Sequence, residues 1–396
     1  MSLSAREQQA LDCIEDELAG SDPKLAWLLA TFARHASGEE LPVREKIPNP
    51  ALRRGKMRRP ARRLFPRLGL QQTMLLLWLT VTIAQNPPDD RNEPMATRAD
   101  AYGSGVSAAT HYRTAMIDGV SIFYCEAGPK DAPVVLLLHG FPSSSRMFRD
   151  LIPRLSDAYH LIAPDYPAFG HSAVPDRSAF GYTFNHLADV VDGLLGQLGI
   201  GTFAIYVMDF GAAVGFRLAL RHPERLSAII VQNAPLYPWE PLGWWATLGQ
   251  YWADGSAAHR RAARSYLDLE GLRGQYLSGV QDPSLIDPDN WVIDKALIDR
   301  PGVDEIMLDL LYDIPNQAPT FKAMQEFLRD RRPPTLVATG ANDEIFPEQV
   351  GRQILTDHPG AEYHALDTGH FALEDKAAEI AALMRDFLAR AVPGAG

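Results

Sequence analysis

The chain has 396 residues, 46% of them hydrophobic, enough for more than one domain and a large packed core. Its two cysteines, Cys13 and Cys125, lie far apart and exclude a disulfide framework and a cysteine-based metal site. The net charge of −11 is uneven: residues 1–94 carry 14 Lys/Arg and 12 Asp/Glu, and residues 95–396 carry 24 and 37, an acidic balance that excludes nucleic acid as a partner because phosphates demand a basic face.

Ser4 with Glu7 forms a capping box ahead of an amphipathic pattern through Leu18. Ser21-Asp22-Pro23 starts a second helix pattern ending near Ala36, and a Pro-rich stretch follows. Eight basic residues then fall between Arg53 and Arg67 with no acid among them. Leu68–Ala84 contains no charge and is strongly apolar from Met74 onward. Seventeen residues at about 1.5 Å each fall short of the roughly 30 Å hydrocarbon core, and Gln71 and Gln72 weaken the run further.

This stretch supports three readings. It is a candidate transmembrane helix whose basic flank keeps its N-terminal side in the cytoplasm. It is an export signal after Arg62-Arg63, which the long leader argues against. Or it is an amphipathic helix on a membrane or on protein. The expectation is a helical extension over 1–94, dispensable for chemistry, with membrane association through 68–84 and an otherwise cytoplasmic protein. Leu3, Ser4, Glu7 and Gln8 resemble the opening of a small bacterial membrane-protein family of unknown function.

From Met95 the chain begins again with a polar lead. Two strand patterns, Tyr112–Ile117 and Val120–Glu126, join at Asp118-Gly119. Val134–Leu138 is apolar throughout, as a strand buried on both sheet faces should be. A helix is predicted near Ser144–Leu155, a strand at His160–Ala163, a helix over Thr183–Leu198 and a strand at Phe203–Met208. Gly211–Arg221 reads as helix and Leu226–Gln232 as strand. This alternation predicts a mostly parallel sheet covered on both faces. It stops from about Pro235 to Arg332, an interval holding Trp239, Trp244, Trp245, Trp252 and Trp291 among helix-like patterns. It resumes with strand Thr335–Thr339, a helix near Glu348–Leu355, strand Glu362–Leu366 and a helix from Glu374 to about Ala389. The predicted organisation is an α/β core over 110–234 and 333–392 and a helical lid over 235–332, inserted before the last two strands.

The residues able to do chemistry sit where strands end. Val207-Met208-Asp209-Phe210-Gly211 joins a strand to a helix; a sharp turn there exposes its central side chain and aims backbone N–H groups at it. Gly211 is small enough for such a turn, whereas Val207 is larger than the turn favours. Alone, an aspartate at a strand end caps a helix or fills a turn. In this chain His139-Gly140-Phe141-Pro142 follows the buried strand, and the N–H of Phe141 with that of Phe210 would form an oxyanion hole. His139 itself is expected to be structural, tied to backbone. Gly340-Ala341-Asn342-Asp343 ends the strand after the lid, and Asp367-Thr368-Gly369-His370-Phe371 follows the last strand. Asp209, Asp343 and His370 thus stand in the chain order expected of nucleophile, orienting acid and base.

Taken together, HGFPSSSRMF from His139, DYPAFGHS from Asp165, YVMDFGAAVGF from Tyr206, GANDEIFP from Gly340 and DTGHFALE from Asp367 resemble the α/β-hydrolase superfamily, specifically its epoxide hydrolase and haloalkane dehalogenase branch, over residues 112–392. Ala168 replaces a glycine usual in that branch. The resemblance implies that Asp209 attacks an sp³ carbon to form an ester, and that His370, oriented by Asp343, activates the water that hydrolyses it. An epoxide oxygen needs a proton, which this family supplies from lid tyrosines. Tyr312, Tyr266 and Tyr276 are the candidates, with Tyr312 favoured because it lies shortly before the lid rejoins the sheet.

Halide needs N–H donors, commonly a Trp after the nucleophile, and Phe210 has none to give. Trp244, Trp245, Trp252 and Trp291 could donate from the lid. The expected function is epoxide hydrolysis of a small apolar organic substrate with water. Haloalkane or haloacid dehalogenation is the alternative, and a non-catalytic ligand-binding relative a further one. No metal cluster, dinucleotide glycine pattern or cofactor is implied.

Overall fold

The computed structural model describes residues 108–392, so the expectations for 1–94, including the helix at 68–84, lie outside the described residues. Asp118 and Gly119 take positive φ values of 47° and 82°, the backbone that a two-residue hairpin requires. They join β1 (His111–Ile117) to β2 (Val120–Ala127) in antiparallel pairing. The next strands are β3 (Val134–Leu138), β4 (His160–Pro164), β5 (Phe203–Met208), β6 (Leu226–Gln232), β7 (Thr335–Gly340) and β8 (Glu362–Leu366). They form one sheet in the order β1-β2-β4-β3-β5-β6-β7-β8. Only the two pairings of β2 are antiparallel; the others are parallel.

Because successive side chains on a strand point to opposite faces, the apolar runs of β3 and β5 feed two cores. Leu136, Leu138, Ile205 and Val207 enter one; Val135, Leu137, Ala204, Tyr206 and Met208 enter the other. Helices cover both faces. The expected helix over Ser144–Leu155 is instead a 3₁₀ turn, Ser145–Phe148, and a single turn α1, Ile152–Leu155. Two local causes break it: the Asp165 carboxylate takes the N–H of Ser145 at 2.7 Å, and Pro153 has no N–H to continue a helix from before it. Helix α2 (Phe184–Gln197) starts where the Thr183 side chain accepts from His186 N–H, and α3 (Phe210–Arg221) follows β5 directly.

Between β6 and β7 run six helices: α4 (Ala246–Asp254), α5 (Ala257–Ala263), α6 (Leu269–Leu277), α7 (Asp289–Ile298), α8 (Val303–Asp313) and α9 (Ala318–Arg331). The helix expected near Glu348–Leu355 is broken at Gln353 into α10 (Glu348–Arg352) and α11 (Ile354–Asp357), and α12 (Leu373–Ala391) closes the described chain. The inserted helices cap the loops that follow β5, β6 and β7, so a cavity is created at the carboxyl ends of the parallel strands, where open α/β sheets place their sites. Among the described residues no helix is long and apolar enough to cross a membrane.

Candidate active site

Asp209 occupies the turn between β5 and α3 at φ 49° and ψ −117°. A non-glycine residue in that region carries a backbone strain of about 1–3 kcal/mol, tolerated only where the surroundings fix it. Two glycines make room. A side chain at Gly140 would lie 2.5 Å from Asp209 Cβ, and one at Gly211 would collide with the carbonyl of Leu138. The bulk of Val207 is accommodated across the strand–helix contact, because a methyl at Gly215 of α3 would sit 2.5 Å from Val207 Cγ1. The small residues the turn requires stand on the helix and the facing loop.

The Phe141 N–H donates to Asp209 Oδ1 at 2.7 Å, and the Phe210 N–H also favours the ionised carboxylate. Both backbone donors expected from the sequence thus act on the Asp209 carboxylate. Burial pushes the Asp209 pKa above the ordinary carboxylate range; the His370 charge and the two N–H groups oppose this, and Asp343 adds to it. His370 follows β8, with Nδ1 2.9 Å from Asp343 Oδ2. Its Nε2 is buried without a hydrogen-bond partner. Burial alone would lower the His370 pKa, but Asp343, by charge and hydrogen bond, and Asp209, by charge, outweigh it and raise it. His139 is wholly buried, its Nδ1 3.0 Å from the Gly140 carbonyl and its Nε2 accepting from Tyr166 N–H at 3.4 Å, a structural imidazole.

Several contributors escaped the sequence reading. Asn233, just after β6, donates from Nδ2 to Asp343 Oδ2 at 2.7 Å and accepts the Gly340 N–H at 3.1 Å, while Ile345 N–H holds Asp343 Oδ1 at 2.7 Å. Gln232 donates to the His370 carbonyl at 3.1 Å and accepts from the buried Tyr206 hydroxyl. Asn233 was findable by the rule that found the others, since it also stands at a strand's carboxyl end. Ala168 adopts φ 70°, so the alanine at the usual glycine position takes the left-handed backbone itself.

Asp209 opens on a cavity lined by Phe184, Phe210, Trp245, Phe321 and Phe346 together with Trp239 and Gln317. The space within it totals about 320 Å³, part of which opens to solvent. None of the three candidate tyrosines lines it. Tyr312 is 43% exposed although Leu308, one turn before it on α8, is buried; its ring packs on Tyr251 at 4.7 Å in the last turn of the helix. The Tyr266 hydroxyl is spent on the Trp244 carbonyl. Tyr276 belongs to the core on the other sheet face, bonded to Asp294 Oδ2 at 2.6 Å and stacked on Phe371 at 4.0 Å. Among the lid tryptophans, Trp245 and Trp252 donate to the carbonyls of Ile345 and Leu311. Trp239, which the sequence reading did not single out as a donor, lines the cavity and has its Nε1 buried without a partner.

Residues 133–267 match the alpha/beta hydrolase fold family. The chain is 40% identical over 278 residues to an uncharacterized hydrolase of Saccharomyces cerevisiae, covering 69% of this chain and 95% of that protein. It is 30% identical over 289 residues to a cis-3-alkyl-4-alkyloxetan-2-one decarboxylase of Xanthomonas campestris, covering 69% and 93%. A haloalkane dehalogenase of Bradyrhizobium diazoefficiens matches at 36% over 130 residues, 32% of this chain and 41% of that protein. Two solved structures share the fold. Haloalkane dehalogenase DbeA from Bradyrhizobium elkani has a TM-score of 0.60 at 22% identity, covering 72% of this chain and 99% of that one. Epoxide hydrolase CorEH has a TM-score of 0.59 at 21% identity, covering 71% and 99%.

Proposed function

The chain belongs to the α/β-hydrolase superfamily, and on that premise we propose that it falls in the branch of epoxide hydrolases and haloalkane dehalogenases and hydrolyses a carbon–halogen bond through an ester on Asp209. Asp209 Oδ2 attacks the carbon, the carbon–halogen bond breaks, and halide leaves with the electron pair. Water then gives a proton to His370 Nε2 and attacks Asp209 Cγ, with the oxyanion at the N–H groups of Phe141 and Phe210. The bond from Cγ to the alkyl oxygen breaks, that oxygen takes the proton back from His370 and leaves as an alcohol, and Asp209 loses the remaining proton to regain its carboxylate.

The observation that carries the choice of leaving group is the pairing of an absent hydroxyl with an unspent N–H. Among the described residues no tyrosine lines the cavity, whereas Trp239 does, with its indole Nε1 buried and unpartnered. An epoxide oxygen leaves as an alkoxide and needs an acid; halide needs only a hydrogen-bond donor. This reverses the sequence-based preference for epoxides. A carboxylate leaving group meets the same condition, and the match over 93% of an oxetan-2-one decarboxylase favours a second reading in which the substrate is a strained lactone ring.

The test offers purified His370→Ala protein 1-bromobutane, 1,2-epoxybutane and a cis-3,4-dialkyl oxetan-2-one separately, and reads intact mass and the modified peptide. An alkyl ester on Asp209 from the bromide is expected. Ester from the epoxide alone would sink the halide reading, ester from the lactone alone would install the second one, and absence of any adduct on Asp209 would remove the nucleophile.

A further inference from the structure

Gln317 is buried against the Asp209 cavity, at the junction of a 3₁₀ turn (Ile314–Gln317) and α9. Its amide oxygen accepts from Nη1 of Arg217. Arg217 stands on α3, about two turns beyond Asp209, and is itself buried. It is held by the Asn185 side chain and by the Ala213 carbonyl, at 2.7 Å from the latter. A guanidinium has donors only, so it can meet only the oxygen of an amide. The orientation of Gln317 is therefore dictated: both N–H bonds point away from Arg217. Nε2 makes one long contact, 3.4 Å, to the Asp313 carbonyl. Donor capacity is thus left over beside a cavity whose other polar side chains are Asp209 and Trp239, since the Trp245 N–H is spent on Ile345.

We propose that Gln317 is a specificity-determining residue, donating from Nε2 to a neutral acceptor oxygen of the substrate, and that Arg217 is the positioning residue that turns this donor toward the cavity. The proposal rests on the halide-displacement reading and names its substrate class: a short halide carrying an ether, ester or ketone oxygen. The acceptor is neutral because no lysine or arginine among the described residues lines the cavity and the Asp209 carboxylate repels a second anion. A haloacid anion is therefore excluded from the class.

The experiment compares 1-bromo-2-methoxyethane with 1-bromobutane, bromides of equal length in which an oxygen replaces a methylene, and adds bromoacetate as an anionic arm. Wild type, Gln317→Leu and Gln317→Glu are assayed for kcat and KM. Gln317→Glu keeps the acceptor that Arg217 needs while removing the N–H donors, so it serves where the leucine variant fails to fold. The ether-to-alkane ratio of kcat/KM is expected to fall about three- to tenfold in the variants, the worth of one neutral hydrogen bond, with the change in KM. An unchanged ratio, or bromoacetate as the best wild-type substrate, overturns the proposal. If wild type turns over no bromide, the halide reading fails by itself. The role of Gln317 is then read from calorimetric binding of 2-methoxyethanol and 1-butanol: a preference for the ether alcohol that is lost in Gln317→Glu sustains it, and equal affinities refute it.

Discussion

His370 is required in two states by the proposed reaction, and the charges around it supply both. In the free site the carboxylates of Asp343 and Asp209 raise its pKa against the opposing effect of burial. Once Asp209 is esterified its charge is gone, one of those contributions disappears and the imidazole pKa falls, so the ring is neutral more of the time and able to take a proton when a water must be deprotonated. Its Nε2 is free to meet that water because Nδ1 is held by Asp343, which Asn233 and Ile345 hold in turn. The leaving group depends on Trp239 in the same residue-level way. Replacing Trp239 by Phe keeps an aromatic surface and deletes only the N–H. With a bromide substrate, kcat for ester formation is expected to fall roughly ten- to hundredfold, since a hydrogen bond to a charged group is worth about 1.5–3 kcal/mol. Single-turnover kinetics with quenched intact-mass detection reads that step. A change within twofold would mean that the halide leaves without help from this indole.

At the scale of elements, α6 and α7 of the lid are fastened to the core by a buried polar cluster rather than by apolar contact alone. Tyr276 of α6 donates to Asp294 of α7, and Asn290 of α7 donates to Glu374 at the start of α12 at 2.6 Å, where Arg149 also pairs. Burial pushes the Asp294 pKa up to about 7; the Tyr276 hydroxyl opposes this, Glu374 adds to it, and Arg146 and Arg149 oppose it. The folded state therefore holds this proton up to about pH 7, while an unfolded aspartate releases it near pH 4. Between those values the folded state binds the extra proton, so stability falls as pH rises, by up to about 1.4 kcal/mol per pH unit, and the loss is complete above pH 7. Asp294→Asn is expected to flatten the difference in denaturant stability between pH 5 and pH 8. Equal pH slopes in the two proteins would show that Asp294 is ionised when folded.

The central strands and the turns on this scale were legible because continuous apolar runs and Asp-Gly or strand-end glycines leave a mark in the chain. The positions of Asp209, Asp343 and His370 were legible because each lies just past the carboxyl end of a strand. The surroundings of Tyr312, Tyr276 and Trp239 were not. The two tyrosines depend on the rotation of short helices and on which sheet face receives them, and Trp239 lies in an irregular segment between β6 and Gly243 that carries no periodic signal.

For the whole molecule, the question is whether residues 1–94 take part in the fold of the rest. All eight strands of the sheet, the two cores fed by β3 and β5, and the Asp209, Asp343 and His370 side chains lie within 111–391. The yeast hydrolase matches 69% of this chain while 95% of its own length is covered, so a protein about the size of the described part suffices in that relative. The sheet closes its parallel part at β8 and its antiparallel part at β1, with no strand drawn from residues before His111 among those described. A protein beginning at Met95 is therefore expected to unfold within about 3 °C of the full chain, the shift that a loss of about 2 kcal/mol produces in a domain of this size. Its kcat/KM on a soluble bromide is expected to stay within twofold. Calorimetric unfolding and steady-state kinetics of the two proteins, purified alike, check both numbers. A shorter protein that aggregates or melts ten degrees lower would mean that the leading segment covers apolar surface of the α/β unit, and the basic run from Arg53 to Arg67 would then need to be read as part of the enzyme.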